Sequence, residues 1–189
     1  MKTIGILAIQ GDFNRHALVI QKLGHLPREI RNLDELTGTD ALIIPGGEST
    51  TFLRLFYQFN LSDGIRHYAE KHSIMGTCAG LIILSKEANN LPFKPLGLID
   101  ATVARNAYGR QRESFVDMIS LSLNGNVHNF PGVFIRAPKI ITVGPTVKIL
   151  AHHKQDAVMV ATKNILAATF HPELTDNIEI HQYFIKNFT

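Results

Sequence analysis

The most reactive side chain in the sequence occurs once, at Cys78. It stands in Gly76-Thr77-Cys78-Ala79-Gly80, between a short apolar segment, Ser73 to Gly76, and a segment that reads as a helix, Ala79 to Ser85. A sharp strand-to-helix turn needs neighbours without bulk at Cβ and pushes its central side chain out of the sheet, which is the logic of a nucleophile elbow. Unpaired N–H groups at the start of the helix would favour thiolate over thiol. A small buried cysteine in an apolar strand is the other reading, and the motif alone does not choose between them.

A thiolate needs a base, and nine histidines are available. His171 stands out because it ends the strand-like run Ile165 to Phe170, precedes Pro172, and has Glu173 two residues on. A carboxylate so placed can orient the imidazole through its second nitrogen, which makes a candidate Cys-His-Glu triad. A surface histidine before a turn is the plain alternative. His152-His153 is expected at a strand end, and His16, His67 and His72 on the solvated faces of helices. Pro45-Gly46-Gly47-Glu48-Ser49 follows a buried strand. Its glycines would let backbone N–H groups point into a site, as an oxyanion hole requires. A phosphate-cradling loop is a rival, although the Lys and Ser/Thr of a P-loop do not follow, and a tight turn is a third reading.

The elements that must position these groups follow from periodicity. Thr3 to Ile9 and Ala41 to Ile44 are buried-type strands. Helical spacing runs from Phe13 to Leu23, with Gly24 just past the end, and again over Ser62 to His72. Ser49 or Thr50 is expected to cap a helix through about Phe59. This alternation predicts an α/β sheet with helices on both faces. The second half changes character. Leu98 to Arg105, Ser114 to Leu123, Val133 to Ile135, Lys148 to His152, Ala157 to Thr162 and Ile165 to Phe170 read as short strands, several of them antiparallel. A terminal helix, Asp176 to Phe188, should turn Ile178, His181, Gln182 and Ile185 one way. The loop Asn89 to Pro95 is the expected insertion site.

Composition bounds the function classes. The 189 residues favour one domain, and 45% hydrophobic with 19% charged residues excludes a disordered chain. Nineteen Lys and Arg against sixteen Asp and Glu leave +3, with no basic run to suit nucleic acid. The longest uncharged apolar stretch, Ile74 to Leu84, is well short of the roughly 18 residues of a membrane span. No secretory signal is visible, so a soluble, cytoplasmic protein is expected. One cysteine excludes an internal disulfide and a multi-cysteine zinc site.

Taken together, the motifs resemble the class I, triad-type glutamine amidotransferases, and within them the glutaminase subunits of pyridoxal 5′-phosphate synthases. The resemblance spans essentially the whole chain. It rests on Leu7-Ala8-Ile9-Gln10-Gly11, Pro45 to Thr51, Gly76 to Leu81, Arg105 to Gln111, Gly132 to Pro138 and Phe170 to Thr175. Asp12-Phe13-Asn14-Arg15 departs from the Ala-Val-Arg-Glu common in that family, and Glu87 to Leu96 has no clear family pattern. The resemblance implies a flavodoxin-like three-layer α/β fold around a mostly parallel mixed sheet, with one amidotransferase domain over 1–189. It implies hydrolysis of L-glutamine to glutamate and ammonia, with Cys78 as nucleophile, His171 as acid and base, and Glu173 as its orienter. Glutamine would be held by Gly47, Glu48, Ser49, Arg105, Ile135 and Arg136, and the oxyanion by N–H groups of Gly47 and Ala79. Which arginine takes the substrate carboxylate stays open. The turn Gln10-Gly11 would rearrange when a synthase subunit docks to form a hetero-oligomer. No metal or organic cofactor is implied. A glutaminase serving another synthase, a cysteine peptidase on a related fold, and a binding module without turnover are the competing readings.

Overall fold

The computed structural model describes residues 1–105 and 114–189. In chain order the elements are β1 (Thr3–Leu7), α1 (Phe13–Lys22), β2 (Leu26–Ile30), β3 (Ala41–Ile44), α2 (Ser49–Gln58), α3 (Leu61–Ala69), β4 (Ser73–Thr77), α4 (Ala79–Leu84), β5 (Ser85–Ala88), β6 (Ile99–Ala104), β7 (Ser114–Leu123), β8 (Asn126–Ile135), β9 (Lys139–Val143), β10 (Lys148–His153), β11 (Asp156–Ala161), β12 (Ile165–Ala168) and α5 (Glu179–Phe188). A 3-10 turn, Pro172–Leu174, follows β12.

The large sheet runs β2-β1-β3-β4-β12-β11-β10-β7-β8. Its first five strands are parallel neighbours, and the remaining four join antiparallel. The parallel part has the flavodoxin-type order, in which ligands bind beyond the carboxyl ends of the strands where the order reverses. Here that edge collects the turn after β1, the glycines after β3, Cys78 after β4 and His171 after β12. A second, smaller sheet pairs β5, β6 and β9.

Strand residues alternate between two faces, so each central strand feeds two cores. Leu42, Ile44, Ile74 and Ile165 pack with Phe52, Phe56, Ile65 and Leu81 of α2, α3 and α4. Ile4, Ile6, Ala41, Ile43, Met75 and Leu166 pack on the opposite side with Ile20 of α1 and with Ile180, Phe184 and Ile185 of α5. These are the two outer layers that the continuous apolar runs of β1, β3 and β4 require.

Several expectations are corrected. Strand β2, with Pro27, was not foreseen, and β8 extends to ten residues through Pro131 and Gly132 instead of spanning Val133 to Ile135. Both strands lie at sheet edges, where a missing N–H costs no ladder bond. Strands β5 and β9 were also unforeseen, and Ser85 begins a strand instead of ending a helix. The buried face of α5 is Ile180, His181, Phe184 and Ile185, not the stripe through Ile178 and Gln182. Neither Ser49 nor Thr50 caps α2. Glu48 does, because its longer side chain folds back to accept the N–H of Thr50 at 2.9 Å and of Thr51 at 2.7 Å.

Candidate active site

Strand β4 hands the chain to α4 through Cys78, whose φ of 49° and ψ of −104° lie in a region that L-residues seldom adopt. The fold holds this turn from both sides. The N–H of Cys78 donates to Ala168 O at 2.8 Å, so the end of β12 anchors it. The helix can sit this close because a Cβ on Gly80 would fall 2.2 Å from Ile44 O. Ala79 is the first residue of α4, so its N–H has no acceptor within the helix.

His171 arrives from β12, and its N–H donates to Val133 O at 2.8 Å. Its Nδ1 lies 2.7 Å from Glu173 Oε1, with both side chains buried. With Nδ1 so occupied, Nε2 is the nitrogen left to interact with Cys78. Burial by itself pushes the pKa of His171 down. The hydrogen bonds and charges of Cys78 and then Glu173 outweigh it and raise the value from 6.5 to about 10. Burial likewise works to raise the pKa of Glu173, but His16 and then His171 hold it well below the usual carboxylate range. The Cys78 Sγ also lies 3.9 Å from Ile135 O.

A cavity of about 200 Å³ opens above this pair. The six residues expected to bind substrate, Gly47, Glu48, Ser49, Arg105, Ile135 and Arg136, all line it with Cys78, Ile82 and His171. Larger concavities of about 500 and 630 Å³ lie beside Tyr183 and beside Tyr57, away from Cys78 and His171. Burial acts to raise the pKa of Glu48, yet the N–H groups of Thr50 and Thr51 lower it to about 2, so the side chain is ionised. Arg105 is engaged. Its guanidinium donates to Glu48 Oε1 at 3.2 Å, Thr50 Oγ1 at 3.0 Å and Asn90 O at 2.5 Å. The backbone of Arg136 has φ 42°, its side chain is exposed, and its guanidinium has no hydrogen-bond partner among the described residues. The rest of the Arg105 to Gln111 block, residues 106–111, lies outside the described residues.

Gln10 does not line the cavity but grips its wall. Its Nε2 donates to Glu48 O at 3.1 Å, and its Oε1 accepts from Glu48 N at 3.3 Å. The turn after β1 is thereby tied to the glycine loop after β3.

Residues 6–189 match the SNO glutamine amidotransferase family. The chain belongs to that family. It is 44% identical over 184 residues to a pyridoxal 5′-phosphate synthase subunit PdxT of Thermosipho africanus, covering 97% of both chains. A PdxT of Fervidobacterium nodosum is 45% identical over 97% of this chain and 95% of its own. A crystal structure described as a glutamine amidotransferase superposes with a TM-score of 0.91 at 41% identity, over 97% of each chain.

Within this amidotransferase, one buried group escaped the sequence reading. His16 does not lie on a solvated face of α1. It is fully buried, 3.5 Å from Glu173 Oε2 and 2.9 Å from His181 Nε2. Helical spacing does carry a faint signal, since His16 shares its face with Val19 and Ile20. Among the described residues, no helix is long and apolar enough to cross a membrane.

Proposed function

We propose that this amidotransferase is the glutaminase subunit of a pyridoxal 5′-phosphate synthase, hydrolysing L-glutamine and delivering the ammonia to a synthase subunit. Full-length likeness to the PdxT proteins supports the assignment to vitamin B6 biosynthesis. The observation that carries the chemistry is the buried Cys78, His171 and Glu173 constellation at the floor of a cavity sized for one small substrate.

The thiolate of Cys78 attacks the side-chain amide carbon of glutamine. A C–S bond forms, and the carbonyl π electrons move to oxygen, which accepts hydrogen bonds from the N–H groups of Gly47 and Ala79. As the tetrahedral species collapses, the C–N bond breaks and His171 Nε2 gives its proton to the leaving nitrogen, releasing ammonia. The raised pKa of His171 suits this step, because the imidazole arrives protonated. Water then attacks the thioester, His171 takes its proton, and the C–S bond breaks to give glutamate. Glu173 orients the imidazole and balances its charge.

Arg136 is the better candidate for the substrate α-carboxylate, because Arg105 is already committed to Glu48, Thr50 and Asn90. Glu48, ionised and facing the cavity, suits the α-ammonium. Ammonia released to water near neutral pH would be protonated and lose its nucleophilicity, which favours direct transfer to the synthase. Glutamate release by the full chain, alone and with a pyridoxal 5′-phosphate synthase subunit, tests the reading. Glutamine-dependent product formation in the mixture is expected. Peptide cleavage without glutaminase activity would overturn it.

A further inference from the structure

Helices α1 and α5 cover the same face of the sheet, and two imidazoles meet between them beneath the active site. His16 Nδ1 is 2.9 Å from His181 Nε2, and both side chains are fully buried. His16 Nε2 points the other way, 3.2 Å from Thr77 Oγ1 at the end of β4 and 3.5 Å from Glu173 Oε2. The glutaminase chemistry written above uses neither histidine. Buried imidazoles are costly unless hydrogen-bonded, and an apolar pair would fill the same space without that cost.

Glu173 supplies the reason to keep them. Its Oε1 belongs to His171, while its Oε2 is buried with no hydrogen-bond partner of ordinary geometry among the described residues. The group facing Oε2 is His16 Nε2. A buried carboxylate held on one oxygen only can turn, or take up a proton, and either change weakens its hold on the base.

The partners assign the protons. Among the described residues His181 Nδ1 is buried without a partner, so a proton there would be a donor with no acceptor. The proton therefore sits on His181 Nε2 and is donated to His16 Nδ1. His16 is left with its proton on Nε2, aimed at Thr77 Oγ1 and Glu173 Oε2. Burial is the largest cause that lowers the pKa of His181 to about 3, which keeps it neutral near pH 7 as this arrangement requires.

We propose that His16 and His181 form a positioning device for the base: His181 fixes the tautomer of His16, and His16 pins Glu173 Oε2 so that Oε1 stays on His171. The proposal rests on reading Cys78, His171 and Glu173 as the catalytic triad. The charged and titratable groups in contact along the chain are Cys78 and Glu173 on His171, His16 and His171 on Glu173, and His181 and Glu173 on His16.

Two amide substitutions separate this role from simple packing. His16→Gln carries an N–H to about the position of Nε2, whereas His16→Asn reaches only about as far as Nδ1. Both are neutral and polar. Glutaminase kinetics on the full chain, alone and saturated with the synthase subunit, should show His16→Gln within about threefold of wild-type kcat. His16→Asn should lose about tenfold to a hundredfold in kcat with KM unchanged, the scale of a small misplacement of catalytic groups. The pH dependence of Cys78 alkylation should also move to higher pH in His16→Asn, because an imidazolium of His171 that loses support stabilises the thiolate less. If the two folded variants share one kcat and one pH profile, at whatever level, the device does not exist. Should the variants at 16 fail to fold, the comparison moves to His181→Gln, which still donates to His16, against His181→Met, which cannot. The same split is expected, and equal behaviour again overturns the proposal. Cys78→Ala in the same assay distinguishes the failures. Turnover in that variant removes the triad and the device together, while its inactivity beside indistinguishable variants at 16 removes the device alone.

Discussion

A Cβ placed on Gly46 would stand 2.4 Å from Cε1 of His171. It would also fall 3.3 Å from Cβ of Cys78, so the backbone of the glycine loop packs directly against Cys78 and His171. Gly46→Ala should therefore drive the two apart without unfolding the chain. We expect kcat to fall by roughly 10²-fold, the scale of a 1 Å misplacement, with little change in melting temperature. Wild-type turnover in a folded Gly46→Ala protein would show that the contact is not felt.

Cys78→Ala should abolish glutamine hydrolysis, a loss of about 10³-fold or more, while leaving the fold and glutamine binding largely intact. A diazo-ketone analogue of glutamine should label Cys78 alone in the wild-type chain. Peptide mapping that finds the label elsewhere would remove the assignment of the nucleophile.

His171→Asn and Glu173→Gln should rank below wild type in that order of severity. Asn removes the base, whereas Gln keeps a polar group beside the imidazole and forfeits only its charge. The raised pKa of His171 also has a consequence for stability. Its stabilising contribution is complete below about 6.5, the unfolded value, and is lost as pH rises through about 10. Melting temperatures measured between these limits should fall less steeply for His171→Asn than for wild type. Parallel curves would contradict the raised value.

His181 has the opposite sign. Its pKa is lowered from 6.5 to about 3, so the unfolded chain takes up a proton that the native chain refuses. Stability should drop as pH falls across that interval. In His181→Gln the drop should be shallower by roughly one proton, about 1.4 kcal/mol per pH unit. Urea titrations from pH 6.5 to 4 measure the slope, and an unchanged slope would be the contrary result.

The Gln10-Gly11 turn is expected to couple partner docking to the oxyanion site. Gln10→Ala removes both hydrogen bonds to the Glu48 backbone and so loosens the loop that carries Gly47. An organised oxyanion donor is worth about 10²–10³ in turnover, so we expect kcat with saturating synthase subunit to fall by about tenfold or more. An unchanged kcat would detach the turn from catalysis. Gly11 itself is less permissive. Its φ is +87°, and a Cβ there would fall 1.9 Å from Gly46 O. Gly11→Val should therefore disable the enzyme with or without its partner.

The geometry of the turn at Cys78 and of the His-Pro-Glu end was readable from the residues, because each motif lies within a few positions of chain. Glycines beside Cys78, and a carboxylate two residues after His171, state their local geometry directly. The strand–helix alternation of the first half was readable for a similar reason, since each apolar run is buried on both sides. Other features depend on what lies across the fold. Pro27 and Pro131 mask β2 and β8 because the sequence does not say which strands become sheet edges. The commitment of Arg105 to Glu48 joins residues 57 positions apart, so sequence alone could not separate it from Arg136. Most plainly, His16 and His181 are 165 positions apart. Helical periodicity places each on a helix face, but only the packing of α1 and α5 on one side of the sheet buries both rings. Burial removes the water that would otherwise satisfy their nitrogens, and that leaves each ring, and Glu173, dependent on the others.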